Sequence, residues 1–500
     1  MRELLDSSTR RRLEILEQLN QTADWISSNE LAHTNKASLR TINSDVQYLK
    51  ENWFPYLIIE TSKKNGVRLS TPPSSHASLI YKSVVDNSEA FQLLEKIFFN
   101  PKTNIEDWEE EMFISESSLY RIANQLSNSL EHYGLVLQKR PCRVTNHNEH
   151  YVRYFYTTYF HEIYGMYDWP FTIDRNGTIK LAQKMFDALG YQVNEVIVMD
   201  LAYLIAVSFE RISQGFYTEL TSSDAITAQQ REQFYNHEEV INDLIGPIGL
   251  TLNNDILNDL INSVYFIKAL VIDQIDLDQI KHRLGLFVDS IQEALNIELD
   301  DLSRKKINNV LSLLYLKHLE YPFDDFILFD RYEFNASAIR STFPTFTQLV
   351  EKQLEQLEIE LNFPWLNQFK NNVIYWIMVK WKRLPSILEN KKAKANLLVF
   401  SNLGSEHADL LAELIMKNFG SKVKITVYHE SIIFLSETNL SNLPEYDFFV
   451  TTFLRDEMPT DKIIVVDAIP SDQDWGKIRR AINQVNKIDP GVLNYFKKND

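Results

Sequence analysis

The sequence predicts a multidomain, predominantly α protein. It has two amino-terminal winged helix-turn-helix units, a helical middle and a small carboxy-terminal parallel α/β domain. Three observations predict this fold: an amino-terminal helical unit recurs further along the chain, apolar residues at helical spacing fill the centre, and short apolar strands alternate with helices at the end. A chain of 500 residues, 44% of them hydrophobic, is long enough for several domains of roughly 150 residues each.

The first unit, residues 1–70, shows three helical segments and a hairpin. Leucines at helical spacing predict a helix over 13–19, residues 25–32 predict a second, and Ser38 is the expected N-cap of a third. The stretch "YLIIETSKKNGVRLS" then predicts two strands around an Asn65-Gly66 turn. Three helices followed by a basic hairpin make a winged helix-turn-helix, and "STPPSSHAS" is the expected linker to the next unit.

The second unit, residues 76–147, repeats this order. The third helix, "SLRTINSDVQYLKENW" from Ser38, returns as "SLYRIANQLSNSLEHY" from Ser118, an offset of 118 − 38 = 80 residues. "FQLLEKIFF" corresponds to the first helix, the segment around Trp108 to the second, and "GLVLQKRPCRVT" to a shorter hairpin with Lys139, Arg140 and Arg143 at its tip. A fixed offset over a whole supersecondary unit is typical of a tandem duplication.

The third helix of each unit offers polar side chains to a ligand. Apolar residues spaced by three, four and three positions are expected to face the core: Leu39, Ile42, Val46 and Leu49. The polar residues between them are of types that bond base edges and phosphates, and a helix fits the major groove of DNA. With the wing, the predicted DNA contacts of the first unit are Arg40, Thr41, Asn43, Ser44, Gln47, Lys63, Lys64 and Arg68. Those of the second unit are Tyr120, Arg121, Asn124, Gln125, Asn128, Lys139, Arg140 and Arg143.

The charge distribution supports this interpretation in spite of an acidic total. The chain has a formal net charge of −17, but residues 35–70 hold six basic and three acidic residues, a local charge of 6 − 3 = +3. The segment that touches phosphate decides nucleic-acid binding. An ordinary solvated helix explains one polar face equally well, but two copies, each followed by a basic hairpin, favour DNA binding.

The rest of the chain is predicted to form three further domains. Apolar residues at helical spacing fill 170–274 and 275–390, which the acidic segment "IDQIDLDQ" separates. In 394–500, four apolar runs predict strands that alternate with helices, as in a parallel α/β domain. The strands are expected over Leu397 to Phe400, Val423 to Tyr428, Phe448 to Thr452 and Ile463 to Asp467, the helices over 406–418 and 474–486, and 431–440 is ambiguous.

Several classes of site are not expected. Cys142 is a single cysteine, which fits a reducing compartment, and neither a secretory signal nor an apolar run of membrane-spanning length appears, so a cytoplasmic location is expected. No Walker A loop, G-x-S-x-G elbow or HExxH motif is present, so we expect neither enzymatic activity nor a cofactor, and no metal site forms from His147 and His150. Arg140 and Arg143 flank Cys142, and nearby positive charge lowers the pKa of a thiol. Cys142 is nevertheless expected to lie close to phosphate without acting as a nucleophile.

The domain order resembles the Mga/AtxA family of Gram-positive transcription regulators. The resemblance implies that the helical middle forms two phosphotransferase-system regulation domains, whose histidines accept phosphoryl groups from the sugar-uptake phosphorelay. It also implies an enzyme IIB-like last domain, self-association as a homodimer or higher homo-oligomer, and activation of virulence or carbohydrate-linked genes. Two features depart from that pattern: "MDLAYLIAVSFERISQG" has no histidine, and Ser401 follows the first strand where cysteine-type enzyme IIB proteins carry their phosphoryl-accepting cysteine.

The expected function is therefore a transcription regulator that binds double-stranded promoter DNA and receives a signal from phosphocarrier proteins. His318 is the expected phosphorylation site, since it follows Leu314 where an apolar stripe ends, although a histidine that caps a core explains the pattern too. His237 and His282 are weaker candidates because each lies in a polar context. Two alternatives stay open: an RNA-binding antiterminator, which needs an amino-terminal β module, and a phosphoryl-carrier enzyme that uses Ser401 or a histidine.

Overall fold

The computed structural model divides into two compact units. The first contains residues 1–275 and 315–330, and the second contains residues 276–314 and 331–500. The structure describes residues 1–21, 25–54, 57–70, 78–188, 195–218, 232, 237–269, 277–429, 445–454 and 461–485. The predicted linker "STPPSSHAS", most of the divider "IDQIDLDQ" and the ambiguous stretch 431–440 fall outside these residues, so the domain limits placed there stay predictions.

The first unit begins with a winged helix-turn-helix. Its elements are α1 (Ser7–Asn20), α2 (Ser28–Thr34), α3 (Leu39–Asn52), β1 (Ile58–Ser62) and β2 (Gly66–Ser70). The two strands pair antiparallel, and buried leucines of α1 pack in the same core as Ile42 and Leu49 of α3. The predicted helix order and hairpin are therefore present.

The start of α2 differs from the prediction. Helix α2 begins at Ser28, with Ser27 as N-cap, and not at Trp25. The reason is a pair of backbone hydrogen bonds: the Ile26 amide donates to the Val67 carbonyl at 2.9 Å, and the Val67 amide donates back at 2.8 Å. The residues before α2 are thus bridged to the wing strand β2 instead of joining the helix.

A second winged helix-turn-helix follows in the same order. Its elements are α4 (Ser78–Asp86), α5 (Glu89–Phe99), α6 (Trp108–Met112), α7 (Glu116–Glu131), β3 (Val136–Lys139) and β4 (Cys142–Thr145). Helix α7 starts one turn earlier than the repeat implies, because Ser115 is its N-cap and accepts a hydrogen bond from the Ser118 amide. Ser118 therefore lies inside the helix, although its counterpart Ser38 caps α3.

The first compact unit continues with α8 (Glu149–Tyr164), α9 (Arg175–Ala188), α10 (Glu195–Ser213), α11 (Glu238–Ile245) and α12 (Asn254–Ala269). A buried ionic network joins α8, α10 and α12. Arg211 of α10 donates two hydrogen bonds, of 2.6 and 2.8 Å, to the Glu149 carboxylate, while Arg153 bonds Asp259 and lies 2.6 Å from the Ser263 hydroxyl. Since removing one partner of a buried ion pair leaves an uncompensated charge, this network holds α8, α10 and α12 together.

The second unit combines helices with a small parallel sheet. Its helices before the sheet are α13 (Leu277–Leu295), α14 (Asp301–Glu320), whose residues from Tyr315 belong to the first unit, α15 (Arg331–Thr342), α16 (Pro344–Leu361), α17 (Trp365–Lys380) and α18 (Leu384–Lys391). Strands β5 (Ala395–Phe400), β6 (Val423–Val427), β7 (Phe448–Thr451) and β8 (Ile463–Val465) form a parallel sheet of order β6-β5-β7-β8, with α19 (Ser405–Phe419) and α20 (Asp472–Val485). The predicted fold class, multidomain and predominantly α with a terminal α/β domain, is confirmed.

Candidate nucleic-acid interface

A buried carboxylate positions helix α3. Asp45 accepts hydrogen bonds from the Nε atoms of Arg11 and Arg12 of α1, at 2.5 and 2.9 Å, and is only 2% exposed. At the amino end, the Ser38 hydroxyl accepts a 3.1 Å hydrogen bond from the Thr41 amide, as the N-cap prediction required. This role of Asp45 was not predicted from the sequence, in which the basic run of α1 was the available signal.

The exposed face of α3 carries most of the predicted contacts. Four of the five predicted residues are exposed: Arg40, Asn43, Ser44 and Gln47. Thr41 is partly buried, its hydroxyl lies 2.8 Å from that of Ser38, and the Gln47 amide donates to Glu51. Leu39 is 46% exposed, so its predicted place in the core is wrong: as the first helical residue it precedes the buried stripe, which Asp45 joins instead.

The first wing presents two lysines at its tip. Lys63 and Lys64 are exposed in a loop. The Ser62 hydroxyl stabilises this loop by accepting hydrogen bonds from the backbone amides of Lys64 and Asn65, at 3.4 and 3.2 Å. Ser62 faces Gly66 across the ladder, so the loop spans 63–65 and Gly66 opens β2 rather than completing a two-residue turn. The third predicted wing cation, Arg68, pairs with Glu60 at 2.7 Å and lies 4.8 Å above the Trp25 ring.

In the second winged helix-turn-helix, the candidate residues are bonded to one another. Arg140 Nε donates to Glu106 at 2.8 Å, Arg140 Nη2 donates to the Tyr120 hydroxyl at 2.9 Å, and that hydroxyl bonds Glu106 in turn. The hydrogen bond from Arg140, followed by that from Tyr120, lowers the pKa of the Glu106 carboxyl to about 2. Glu106 is therefore ionised at neutral pH and offsets the charge of Arg140.

The wing of the second unit is also bonded to α7. Lys139 Nζ donates to the Asn124 side chain at 2.6 Å, and Arg143 Nε donates to Gln138 at 2.6 Å. Arg143 lies within β4 opposite Gln138, and not at the hairpin tip as predicted, because only Arg140 and Pro141 separate the strands. The rest of the predicted set on α7, namely Arg121, Asn124, Gln125 and Asn128, is exposed.

The structure brings part of α7 close to the end of α3. A cleft of about 610 Å³ in the first unit is lined by Arg12 of α1, Tyr48 and Asn52 of α3, and Arg121 and Gln125 of α7, together with residues of α4 and α5. The Arg12 guanidinium lies 3.6 Å above the Tyr48 ring in this cleft. Arg121 and Gln125 thus share a concave surface with α1 and α3 of the first winged helix-turn-helix, whereas Arg40, Lys63 and Lys64 do not line it.

The remaining predicted residues have other environments. Cys142 is buried in β4, and burial raises its thiol pKa to about 12, so the flanking arginines do not activate it. His150 is buried, and burial, followed by Arg153, lowers its pKa to about 3. Within the described ranges no three His, Cys, Asp or Glu side chains are placed to hold a metal ion. His318 is half-buried in the last turn of α14, where burial lowers its pKa.

Ser401 follows β5 and is buried. Its hydroxyl lies 2.9 Å from His407 Nδ1 and 3.0 Å from the Thr452 hydroxyl, and it accepts the Leu403 amide at 3.0 Å. His407 Nε2 lies 2.9 Å from the Ala468 carbonyl oxygen. The residue that follows β5 therefore carries a buried hydroxyl with several hydrogen-bond partners.

Two amino-terminal winged helix-turn-helix units with exposed polar recognition helices define a DNA-binding protein of the helix-turn-helix class. The family described as the Mga helix-turn-helix domain matches residues 73–160, which contain the second winged unit. The chain is similar to transcription regulators of the Mga/AtxA family.

Curated relatives match along almost the whole chain. A putative trans-acting regulator of Streptococcus pneumoniae serotype 4 is 27% identical over 93% of this chain and 95% of its own length. The capsule synthesis positive regulator AcpB of Bacillus anthracis is 21% identical over 95% of this chain and 98% of its own length. The anthrax toxin expression trans-acting positive regulator of the same organism is 20% identical over 94% of this chain and 98% of its own length. The helices in the described part of the chain are too short or too polar to cross a membrane.

Proposed function

We propose that the chain activates transcription by binding double-stranded promoter DNA with α3 and α7 in the major groove and the wings beside it. The observation that carries the proposal is the surface of the first winged helix-turn-helix. Among the described residues, Arg40, Lys63 and Lys64 have no ion-pair partner, and Asn43 and Ser44 are exposed between them in sequence. Unpaired cations beside exposed amide and hydroxyl groups suit phosphate and base edges.

The second winged helix-turn-helix contributes differently to this function. Arg121 and Asn128 on α7 are exposed, whereas Arg140 is held by Glu106 and Lys139 by Asn124. DNA must displace these bonds before the second wing contacts phosphate. The first winged helix-turn-helix therefore supplies most of the salt-dependent affinity, and the second adds base contacts through α7.

A gel-shift series with duplex promoter DNA at several salt concentrations tests the proposal. Arg40→Ala is expected to weaken binding and to reduce the slope of log affinity against log salt by about one unit if it neutralises one phosphate. Arg121→Ala is expected to cost about 1–3 kcal/mol if it contacts a guanine bidentately. Arg283→Ala is the control, because it removes an exposed arginine of α13, in the second compact unit and outside both winged units. Wild-type affinity and slope in the Arg40→Ala, Arg121→Ala double variant would reject the proposal.

Phosphorylation of His318 is the proposed route by which phosphocarrier proteins control the regulator. Burial lowers the pKa of His318, so the ring is neutral and nucleophilic at neutral pH. A phosphoryl group there adds nearly two negative charges in a region that already holds Asp324, whose pKa is raised by burial and then by Asp325. His318→Asp is expected to change oligomeric state or promoter activity, and His318→Ala to remove sensitivity to the phosphorelay. If both variants behave like the wild type and phosphocarrier proteins do not label the chain, His318 has a structural role instead.

Self-association through residues 394–500 completes the proposal. At the carboxyl ends of β5 and β7 and shortly after β8, Leu403, Leu454 and Ile469 are exposed apolar side chains, a surface that suits an isologous contact. Removing 394–500 is expected to shift the protein toward monomer in analytical ultracentrifugation. A truncated chain that stays fully dimeric would place the interface in the helical middle. An antiterminator needs an amino-terminal β module, whereas the described amino-terminal elements are helices with short hairpins.

A further inference from the structure

We propose that the exposed face of α6, with Phe113 at its end, is the surface by which the DNA-bound regulator contacts the transcription machinery. The partner that this surface fits is a protein bound to the neighbouring promoter DNA, with basic side chains around an apolar pocket. The inference rests on the proposed function, because it requires the second winged helix-turn-helix to lie on DNA. It adds to that function the contact by which the bound protein activates transcription.

Phe113 is a large apolar side chain that the fold leaves uncovered. It is 95% exposed, whereas its neighbours Trp108 and Ile114 are buried and fix the turn from the core side. Its backbone has φ +55° and ψ +38°, the left-handed conformation that bulky residues rarely adopt. Neither burial nor backbone preference within this chain explains a phenylalanine at this position. Aromatic side chains are enriched in protein–protein interfaces, where a partner covers them.

The first winged helix-turn-helix provides an internal comparison for this turn. In each winged unit, a residue with left-handed backbone lies two positions before the N-cap of the recognition helix. These residues are Lys36, with φ +49°, before Ser38, and Phe113 before Ser115. The same turn thus presents an exposed cation beside α3 and an exposed aromatic ring beside α7. Lysine suits DNA phosphate and phenylalanine does not, so the two turns suit different ligands.

The charge around Phe113 indicates a basic partner. Residues 104–117 contain six acidic residues and no lysine or arginine, whereas the matching residues 27–40 contain one acidic residue, one lysine and one arginine. Glu109 and Glu110 of α6 are exposed and make no ion pair with any residue that the structure describes. Clustered carboxylates repel DNA phosphate and attract a positively charged protein surface. The face of α6 therefore suits a basic protein and not the DNA itself.

The place of α6 in the motif puts this surface within reach of a promoter-bound protein. In a helix-turn-helix, the recognition helix enters the major groove and the preceding helix crosses the DNA backbone. With α7 in the groove, α6 therefore lies at the edge of the duplex. A protein bound to adjacent base pairs carries the cationic surface that DNA binding requires, and this surface complements Glu109 and Glu110. Charge complementarity thus favours a DNA-bound component of the transcription machinery, with an apolar pocket that takes Phe113.

Transcription in vitro and gel shifts on the same full-length variants test the proposal, with purified bacterial RNA polymerase holoenzyme and a promoter fragment that the chain binds. Phe113→Asn is expected to reduce activated transcription about tenfold while promoter affinity stays within about twofold of the wild type, because an aromatic anchor is lost. Asparagine tolerates left-handed backbone, so this variant keeps the turn. Phe113→Tyr keeps the ring and is expected to retain activation.

Two further variants test the carboxylates and the specificity of the effect. Glu109→Gln combined with Glu110→Gln is expected to lower activation about threefold, since exposed charges contribute less than an aromatic anchor. Tyr167→Asn is the matched control, because Tyr167 is 90% exposed and lies outside both winged units. Its activation and promoter affinity should equal those of the wild type. A photo-crosslinking variant, Phe113→p-benzoylphenylalanine, is expected to crosslink to polymerase on the promoter fragment.

The outcomes separate this inference from the proposed function. A wild-type chain that does not shift promoter DNA rejects the proposed function and this inference with it. Normal promoter binding with full activation by Phe113→Asn and by the double glutamine variant overturns the inference alone. Parallel losses of affinity and activation in Phe113→Asn would make Phe113 a DNA contact, and a crosslink to a second copy of the chain instead of polymerase would make the surface a self-association site. Either result would also overturn the inference.

Discussion

Replacing Asp45 by asparagine tests how the first recognition helix is held. The asparagine keeps the volume but removes the charge that faces Arg11 Nε at 2.5 Å and Arg12 Nε at 2.9 Å. Breaking a buried ion pair costs roughly 3–5 kcal/mol. The two arginines are 20% and 19% exposed, so water partly compensates them and we expect the lower end, about 3 kcal/mol. The first winged unit should then open about a hundredfold more often.

Hydrogen exchange measured by mass spectrometry on peptides of α1 and α3 provides the local readout that a multidomain chain needs. Asp289→Asn is the matched control, with exchange followed on peptides of its own helices, α13 and α14. Asp289 is 44% exposed in its ion pair with Arg304, so the loss of its charge should change the exchange of these helices little. Exchange of α1 and α3 that is as slow in Asp45→Asn as in the wild type would refute the assignment of Asp45 as the anchor. An equal effect in Asp289→Asn would refute the importance of burial.

Local patterns in the sequence were sufficient for much of the fold. The N-cap at Ser38, the hairpin near Gly66 and the four strands of the last domain follow from neighbouring residues, so spacing and turn chemistry predict them. The strand limits move by a residue or two, as β5 does by starting at Ala395. Helix α7 departs from the repeat because Ser115 offers a cap one turn before the position that matches Ser38.

The candidate site was less predictable because its decisive contacts join distant residues. Asp45 sits in a polar helix and looks solvated in the sequence, yet its partners Arg11 and Arg12 come from another helix. Glu106 similarly pairs with Arg140 within the second winged helix-turn-helix, so one predicted DNA contact already has an ion-pair partner. The exposure of Arg40 could be predicted from helical spacing, whereas such pairing depends on tertiary structure.

Three further predictions concern individual residues. Because burial raises the thiol pKa of Cys142 to about 12, the folded chain should resist iodoacetamide at pH 8, and urea should expose this cysteine. Fast alkylation of the folded protein would contradict its burial. Gly66→Ala should destabilise the wing by more than about 1 kcal/mol, since φ is +102° and an added Cβ would lie 2.1 Å from the Ile26 carbonyl oxygen. Unchanged exchange of β1 and β2 would contradict it. Glu106→Gln should release Arg140, raising DNA affinity and steepening the salt slope by about one unit, whereas an unchanged slope would leave the second wing out of the interface.

Both recognition helices are proposed to contact DNA, each at its own position. Missing-base interference on a bound promoter fragment tests it most directly, with the wild type, Arg40→Ala and Arg121→Ala measured in parallel. The wild type should show two separate tracts of bases whose removal weakens binding. Arg40→Ala should lose sensitivity in one tract and Arg121→Ala in the other, since the side chains lie on α3 and α7. A wild-type pattern in both variants, or loss in the same tract, would contradict the two-helix account.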